Sequence, residues 1–339
     1  MRGCASILLL PLLLGGCEYQ HYQSTFSSAA TEVRQFNILF VIFLVICAIM
    51  YLAVIAFLIA GLVRRRRPGV ANVMEEGRHH ESDPLMQTGL IGWGALVATG
   101  LVGLAIASFF ADRSMARAAA HEKLSITVTA NQWWWDITYN AADQSKMIRT
   151  ANELHLPVGV PVHIYLKSND VIHSFWVPSL AGKQDLIPGR ENDISITPRQ
   201  VGIYRGQCAE YCGAQHAKMA FVVNVDSYAD FIRWWQHQLQ SAPPPATPEA
   251  KMGYTYVTAA QCSACHAIAG TPANGTVGPD LTHLASRRSI AAGVMPMNKG
   301  NLYGWVADPQ SLKPGSHMPT IGLEPAQLHA VVAYLETLK

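Results

Sequence analysis

The sequence predicts a multidomain membrane protein: two transmembrane helices forming a hairpin, an all-β Greek-key domain and a small all-α domain. Three observations predict it. Residues 36–63 and 89–110 contain no charged side chain. Between residues 124 and 225, short stretches alternate apolar with polar side chains, the period of a half-buried strand. Beyond a Pro- and Ala-rich stretch at 241–250, the composition becomes helical again.

The N-terminal element, "MRGCASILLLPLLLGGC", has a basic start, an apolar stretch and small residues before Cys17, the shape of a secretory signal. Leu14-Gly15-Gly16-Cys17 resembles a bacterial lipobox. That resemblance implies a signal peptide at 1–16 and lipidation of Cys17; the alternative is an ordinary signal cleaved nearby. Each charge-free run exceeds the roughly 20 residues that cross a bilayer. Arg64, Arg65, Arg66 and Arg67 follow the first run directly. By the positive-inside rule the connection between the spans is cytoplasmic, and both ends of the chain lie outside. Residues 17–112 thus form the anchor. With a net charge of +2 on 339 residues, the chain offers no basic surface for nucleic acid.

Seven cysteines divide by compartment. Cys4 and Cys17 belong to the leader, and Cys47 is a small apolar residue within the first span. Cys208, Cys212, Cys262 and Cys265 remain in the exported part, where two disulfides are one reading. Their neighbours favour another. "LSITVT" (124–129), "VPVHIYLKS" (160–168) and "ENDISITP" (191–198) read as strands of a sandwich or barrel spanning 113–240. Set between strand-like runs, "CAEYCGAQHAKM" (208–219) holds two cysteines, His216 and Met219, and His173 lies upstream in "NDVIHSFW". Thiolate, imidazole and thioether together select a soft metal, copper above all. A mononuclear blue-copper site needs one cysteine; a second, four residues on, implies two thiolates bridging two ions.

At these residues the chain resembles subunit II of cytochrome c oxidase, a cupredoxin domain carried on two transmembrane helices. The resemblance runs from about residue 36 to 225 and implies a dinuclear copper A centre. In it Cys208 and Cys212 bridge, His173 and His216 each cap one copper, Met219 is a weak ligand and Glu210 gives its backbone carbonyl. It further implies that the Glu210 carboxylate binds a magnesium ion shared with subunit I. "NQWWWDITY" resembles the aromatic stretch where electrons arrive from cytochrome c, with Trp133 in the receiving position and Trp134 in place of a frequent tyrosine. "DLIPGR" (185–190) matches a segment facing the haems of subunit I, with Arg190 nearest a propionate. One position departs from the family: Leu90, three residues before Trp93, stands where a glutamate commonly lies at the mouth of a proton channel. His79, His80 and Glu81 are nearby and either substitute for it or form a solvated loop.

The last element, 251–339, contains "CSACH" (262–266), the c-type haem attachment pattern: thioether bonds from Cys262 and Cys265, and His266 as proximal ligand. A redox dithiol and a zinc half-site share this spacing. Three features favour haem c. "GPDL" (278–281) resembles the turn that supports the proximal histidine in small cytochromes c. "LKPGSHMP" (312–319) offers Met318 as the distal ligand, and "QLHAVVAYLETLK" reads as a closing helix. Met295, Met297, His283 and His317 compete for the distal position.

The resemblance as a whole implies subunit II of a caa3-type terminal oxidase of the bacterial inner membrane, with copper and haem domains on the periplasmic side. Its partners would be subunit I and the other oxidase subunits, and its donor cytochrome c or an upstream respiratory complex. A copper A subunit of a nitric oxide reductase and a membrane-anchored electron carrier are the alternatives.

Overall fold

A computed structural model of the chain describes residues 22–65, 84–119, 124–259 and 261–339. Cys17, the leader, Arg66, Arg67 and the segment with His79, His80 and Glu81 lie outside the described residues. The described chain divides into two compact units, one of residues 35–118 and one of residues up to 34 together with 119–339.

The first unit consists of helices α1 (Thr31–Arg65) and α2 (Pro84–Ala119), apart from the first turn of α1. Each contains a segment long and apolar enough to span a bilayer, Thr31–Val63 and Gln87–Arg113, and neither apolar window is buried by protein. In water, such faces, with Phe57 79% and Leu90 65% exposed, would be a strongly unfavourable surface; lipid is the solvent that suits them.

In the second unit, strands β1 (Leu124–Asn131), β2 (Trp134–Asn140), β3 (Ile148–Ala151), β5 (Val162–Ser168) and β8 (Asn192–Ile196) form one sheet, ordered β3-β2-β1-β5-β8. Strands β4 (Glu153–Pro157), β6 (His173–Trp176), β7 (Gln184–Leu186), β9 (Gly202–Cys208) and β10 (Ala220–Asp226) form the other, ordered β4-β10-β9-β6-β7. The expected strands at 124–129, 160–168 and 191–198 are β1, β5 and β8. Two pairings, β1 with β5 and β4 with β10, are parallel within a mostly antiparallel sandwich. The core between the sheets is built from Ile126, Val128, Trp135, Ile137, Ile164, Leu166, Phe175, Phe221 and Val223, the inward members of the alternation. The first turn of α1 attaches here: the Thr31 amide donates to the Thr197 carbonyl (3.1 Å), and the Glu32 carboxylate accepts from the Thr197 amide.

Helix α3 (Tyr228–Gln238), capped by the Ser227 hydroxyl accepting from the Asp230 amide, closes the sandwich with Phe231. Helices α4 (Pro248–Ala259) and α7 (Pro325–Leu335) then cross closely, with α5 (Lys299–Ala307) and the short α6 (Pro309–Leu312) beside them. The crossing requires Gly253, because a Cβ there would lie 1.9 Å from the Ala330 carbonyl oxygen. The Pro-rich connection is itself attached to the helical domain. The Gln240 carbonyl accepts from His283 Nε2 (3.1 Å) and the Ala242 amide donates to the Ala269 carbonyl (3.0 Å).

Candidate functional site

Strand register assembles the first cluster. β6 and β9 pair antiparallel with Phe175 opposite Cys208, so His173 and Cys208 emerge at the same end of the sheet. The loop from β9 to β10 folds back through a short 3-10 turn, His216–Lys218, returning Met219 to the same place. The Cys208 and Cys212 sulfurs lie 3.7 Å apart, too far for the roughly 2.05 Å of a disulfide. His173 Nδ1 is 3.8 Å from Cys208 Sγ, His216 Nδ1 is 3.6 Å from Cys212 Sγ, and Met219 Sδ is 3.9 Å from Cys212 Sγ. The donor atoms of His173, Cys208 and Cys212 all fall within 4.8 Å of one another, and these side chains are buried. The Glu210 carbonyl oxygen lies 3.2 Å from Cys208 Sγ, while its carboxylate pairs with Lys183 at 3.7 Å.

Electrostatics suit a cation here. The hydrogen bond from the Cys212 thiol holds the Cys208 thiolate well below the ordinary thiol range, and the same bond, with burial, pushes Cys212 up, so the two sulfurs share one proton. At His173, burial opposes protonation, but hydrogen bonds to Cys208 and Asp170 outweigh it and raise the imidazole above its ordinary value. Asp170 Oδ1 binds His173 Nε2 at 2.7 Å and thereby leaves Nδ1 for the sulfur side. Sequence reasoning missed Asp170; an acid three residues before a ligand histidine is the available signal.

The second site is a cavity of about 210 Å³ between the helical domain and the sandwich. Cys262, Cys265, His266, Met318 and His317 line it, and so do Gln132, Trp133 and Trp134. The turn at Cys262 brings the His266 amide to the Cys262 carbonyl (2.9 Å), so both sulfurs and the imidazole share one wall. His266 Nδ1 donates to the Pro279 carbonyl at 2.7 Å, which leaves Nε2 for the cavity. Burial then holds His266 below its ordinary value, in the neutral form a metal needs. Gly278 flanks this ring, and a Cβ there would come within 2.7 Å of it. Of the distal candidates, Met318 and His317 line the cavity. Both ring nitrogens of His283 are engaged, by the Lys339 and Gln240 carbonyls. Met295 lines a separate surface depression.

The two sites meet at Trp133. Its indole Nε1–H donates to the Cys212 carbonyl at 2.9 Å, alongside Gln132 Nε2 at 2.7 Å, and its ring centroid lies 5.9 Å from that of His317. It is 8% exposed. Trp135 has a different role: it is fully buried among Phe175 and Phe221. Arg190 sits exposed on the turn closed by its own amide to the Ile187 carbonyl (3.0 Å), outside both clusters.

Residues 124–226 match the family described as cytochrome c oxidase subunit II, periplasmic domain, and residues 250–339 match the family described as cytochrome c. A curated relative from Alkalihalophilus pseudofirmus, named cytochrome c oxidase subunit 2, is 30% identical over 338 residues, 97% of this chain and 95% of its own. One of the same name from Bacillus subtilis is 28% identical over 352 residues, 98% and 96% of the two chains. The first domain implies copper A and the second implies haem, and the residues fit both. Two sulfurs, two imidazoles and a thioether form a soft donor set, and Arg287 Nε and Ser289 Oγ on the cavity wall are buried polar atoms without a protein partner, suited to an acidic substituent of a bound group. With two helices of spanning length ahead of these domains, the protein is membrane-anchored. From the near full-length relatives and the two consecutive domains, the chain belongs to the cytochrome c oxidase subunit II family, in the form that carries a cytochrome c domain after the periplasmic one.

Proposed function

We propose that this chain is the electron-transfer subunit of a caa3-type haem-copper oxidase in a bacterial inner membrane, receiving electrons at its own haem and delivering them through copper A to subunit I, where oxygen is reduced to water. Bound haem and copper supply two one-electron centres; the protein supplies their positions. Cys262 and Cys265 would hold the haem covalently, and His266 and Met318 would ligate its iron. Cys208, Cys212, His173, His216, Met219 and the Glu210 carbonyl would hold the copper pair. The Glu210 carboxylate, on leaving Lys183, would be available to magnesium at the subunit I interface, and Arg190 would face the haems there. The donor is cytochrome c or an upstream respiratory complex. The domain limits in this reading are 17–112 for the lipidated anchor, 113–240 for the cupredoxin domain and 251–339 for the cytochrome domain.

One observation carries the route of electron flow. Trp133 is hydrogen-bonded to the carbonyl of Cys212 while its ring forms part of the haem-cavity wall, so a covered route between the sites runs through it. The nearly balanced acidic and basic side chains of residues 121–240 agree, since they leave that segment almost no net acidic charge to recruit a basic soluble donor directly to copper. Purification from the membrane with its partners, followed by metal and haem analysis, tests the assignment. A large haem-copper subunit with two coppers and one covalent haem on this chain supports it. A complex reducing nitric oxide rather than oxygen, or no large haem subunit, contradicts it.

A further inference from the structure

The cytochrome domain is attached to the copper loop by side chains that neither cofactor requires. Lys313, from the segment between α6 and Met318, is 3% exposed, and its ammonium donates to the Trp133 carbonyl at 2.7 Å and to the Ala291 carbonyl at 3.1 Å. One acceptor belongs to the sandwich and the other to the cytochrome domain. Among the described residues no carboxylate pairs with it. From the opposite side, Gln215 Nε2 donates to the Pro314 carbonyl (2.7 Å) and Lys218 Nζ to the Leu312 carbonyl (2.8 Å). The three consecutive residues Leu312, Lys313 and Pro314 are therefore each bonded across the interface, two of them by side chains neighbouring His216 and Met219.

We propose that Lys313 is a positioning residue: an interdomain latch that fixes the Met318 side of the haem pocket against Trp133 and so sets the rate of electron transfer between the two sites. The inference rests on the haem-to-copper order given above. In the step itself one electron leaves reduced iron and one arrives at the copper pair, with no bond made or broken. Burial of a lysine without a counter-ion is costly, and residues kept at such cost commonly specify one arrangement over its neighbours. Burial first, then the nearby Lys218, brings the Lys313 pKa down to about 7. A methionine of similar length would fill the same space more cheaply but could not bond to both carbonyls. Because Trp133 is bonded through its carbonyl to Lys313 and through its indole to Cys212, a shift of the latch moves the bridging ring directly.

The experiment uses the full chain in detergent with both cofactors bound, comparing the native protein with Lys313→Met and, from the other side of the interface, Gln215→Leu. Two quantities are read: backbone hydrogen exchange over residues 133–135 and 310–318, and the rate of copper reduction after photoreduction of the haem. The latch predicts faster exchange in both segments and copper reduction slowed by about tenfold or more in Lys313→Met, since small misplacements of reacting groups have large rate effects. It predicts a smaller change of the same sign in Gln215→Leu, with both midpoint potentials unchanged. Native exchange and rate in Lys313→Met overturn the proposal, as does faster exchange with an unaltered rate. If Lys313→Met does not fold, Gln215→Leu decides by the same two readings. Failure of the underlying order is distinguishable, because it shows in the native protein as copper reduction that does not follow haem oxidation.

Discussion

In the sandwich, the sulfur and nitrogen donors lie within 3.6–3.9 Å contacts of one another, fixed by the pairing of β6 with β9 and by a loop whose ends are both strands. In the cytochrome domain, the donors stand around a cavity of about 210 Å³ whose wall carries two unpartnered polar atoms. The first site sits at the margin of a core filled by large side chains such as Trp135, Phe175 and Phe221, with Cys208, Cys212 and Met219 packed into it. The second site is the core of its own domain, where Leu284, Leu302, Val306 and Leu335 face the same volume. Ligand loss should therefore affect chemistry at one site, and both chemistry and folding at the other.

The largest effect is expected for Cys262→Ala combined with Cys265→Ala. At roughly 24 cal/mol per Å³ of unfilled core, a cavity of about 210 Å³ costs on the order of 5 kcal/mol, enough to unfold so small a domain while the sandwich persists. Calorimetry should show the transition of the cytochrome domain lost and that of the sandwich retained; a cytochrome transition at its native temperature breaks the comparison. Cys208→Ser should abolish the mixed-valence copper signal with the haem spectrum intact and the sandwich transition shifted little. Met219→Leu, in the same cluster, removes a weak thioether and should alter the copper potential more than the copper content.

The lateral contact between the domains allows a pH test. The Glu153 carboxylate accepts from the Arg288 amide (2.8 Å) and from Asn224 (2.8 Å), while His155 lies between Glu153 (3.3 Å) and Asp226 (2.7 Å), stacked on Trp234. Burial works against both charges, but these partners outweigh it, lowering Glu153 and raising His155. Glu153 thus contributes stability above its ordinary 4.5 that is lost as pH falls through its lowered value, and His155 contributes below its ordinary 6.5 and loses it as pH rises through its raised value. Thermal unfolding should be highest between those two values, and Glu153→Gln should flatten the acid side. An unchanged acid limb in that variant would remove Glu153 from the account. This is the smallest of the expected effects.

The same comparison explains what could be read in the sequence. β1, β5 and β8 were legible because each faces one core and alternates accordingly. The candidate copper loop stands out because its soft donors crowd into twelve residues, and "CSACH" because it has the spacing of the c-type haem attachment pattern. Residues that acquire meaning by meeting a distant partner were not. Asp170 looks like any solvated turn acid until it meets His173. Lys313 reads as part of the distal loop until the sandwich covers it, and Arg287 and Ser289 carry no local signal for lining a cavity. The Pro-rich 241–250 stretch reads as a flexible tether, yet its start is bonded to the cytochrome domain and Pro248 already begins α4. Composition indicates that a segment lacks a core of its own, not whether it lies on another.

The central claim, that electrons cross from the cytochrome domain to the copper loop at Trp133, is tested most directly by rapid mixing with a reduced one-electron donor while haem and copper absorbance are followed together. The account predicts that haem reduction precedes copper reduction in the native protein. In Trp133→Phe, which loses the 2.9 Å bond to the Cys212 carbonyl, copper reduction should slow by about tenfold with both cofactors retained. Copper reduction at an undiminished rate in that variant, or ahead of the haem in the native protein, would contradict it.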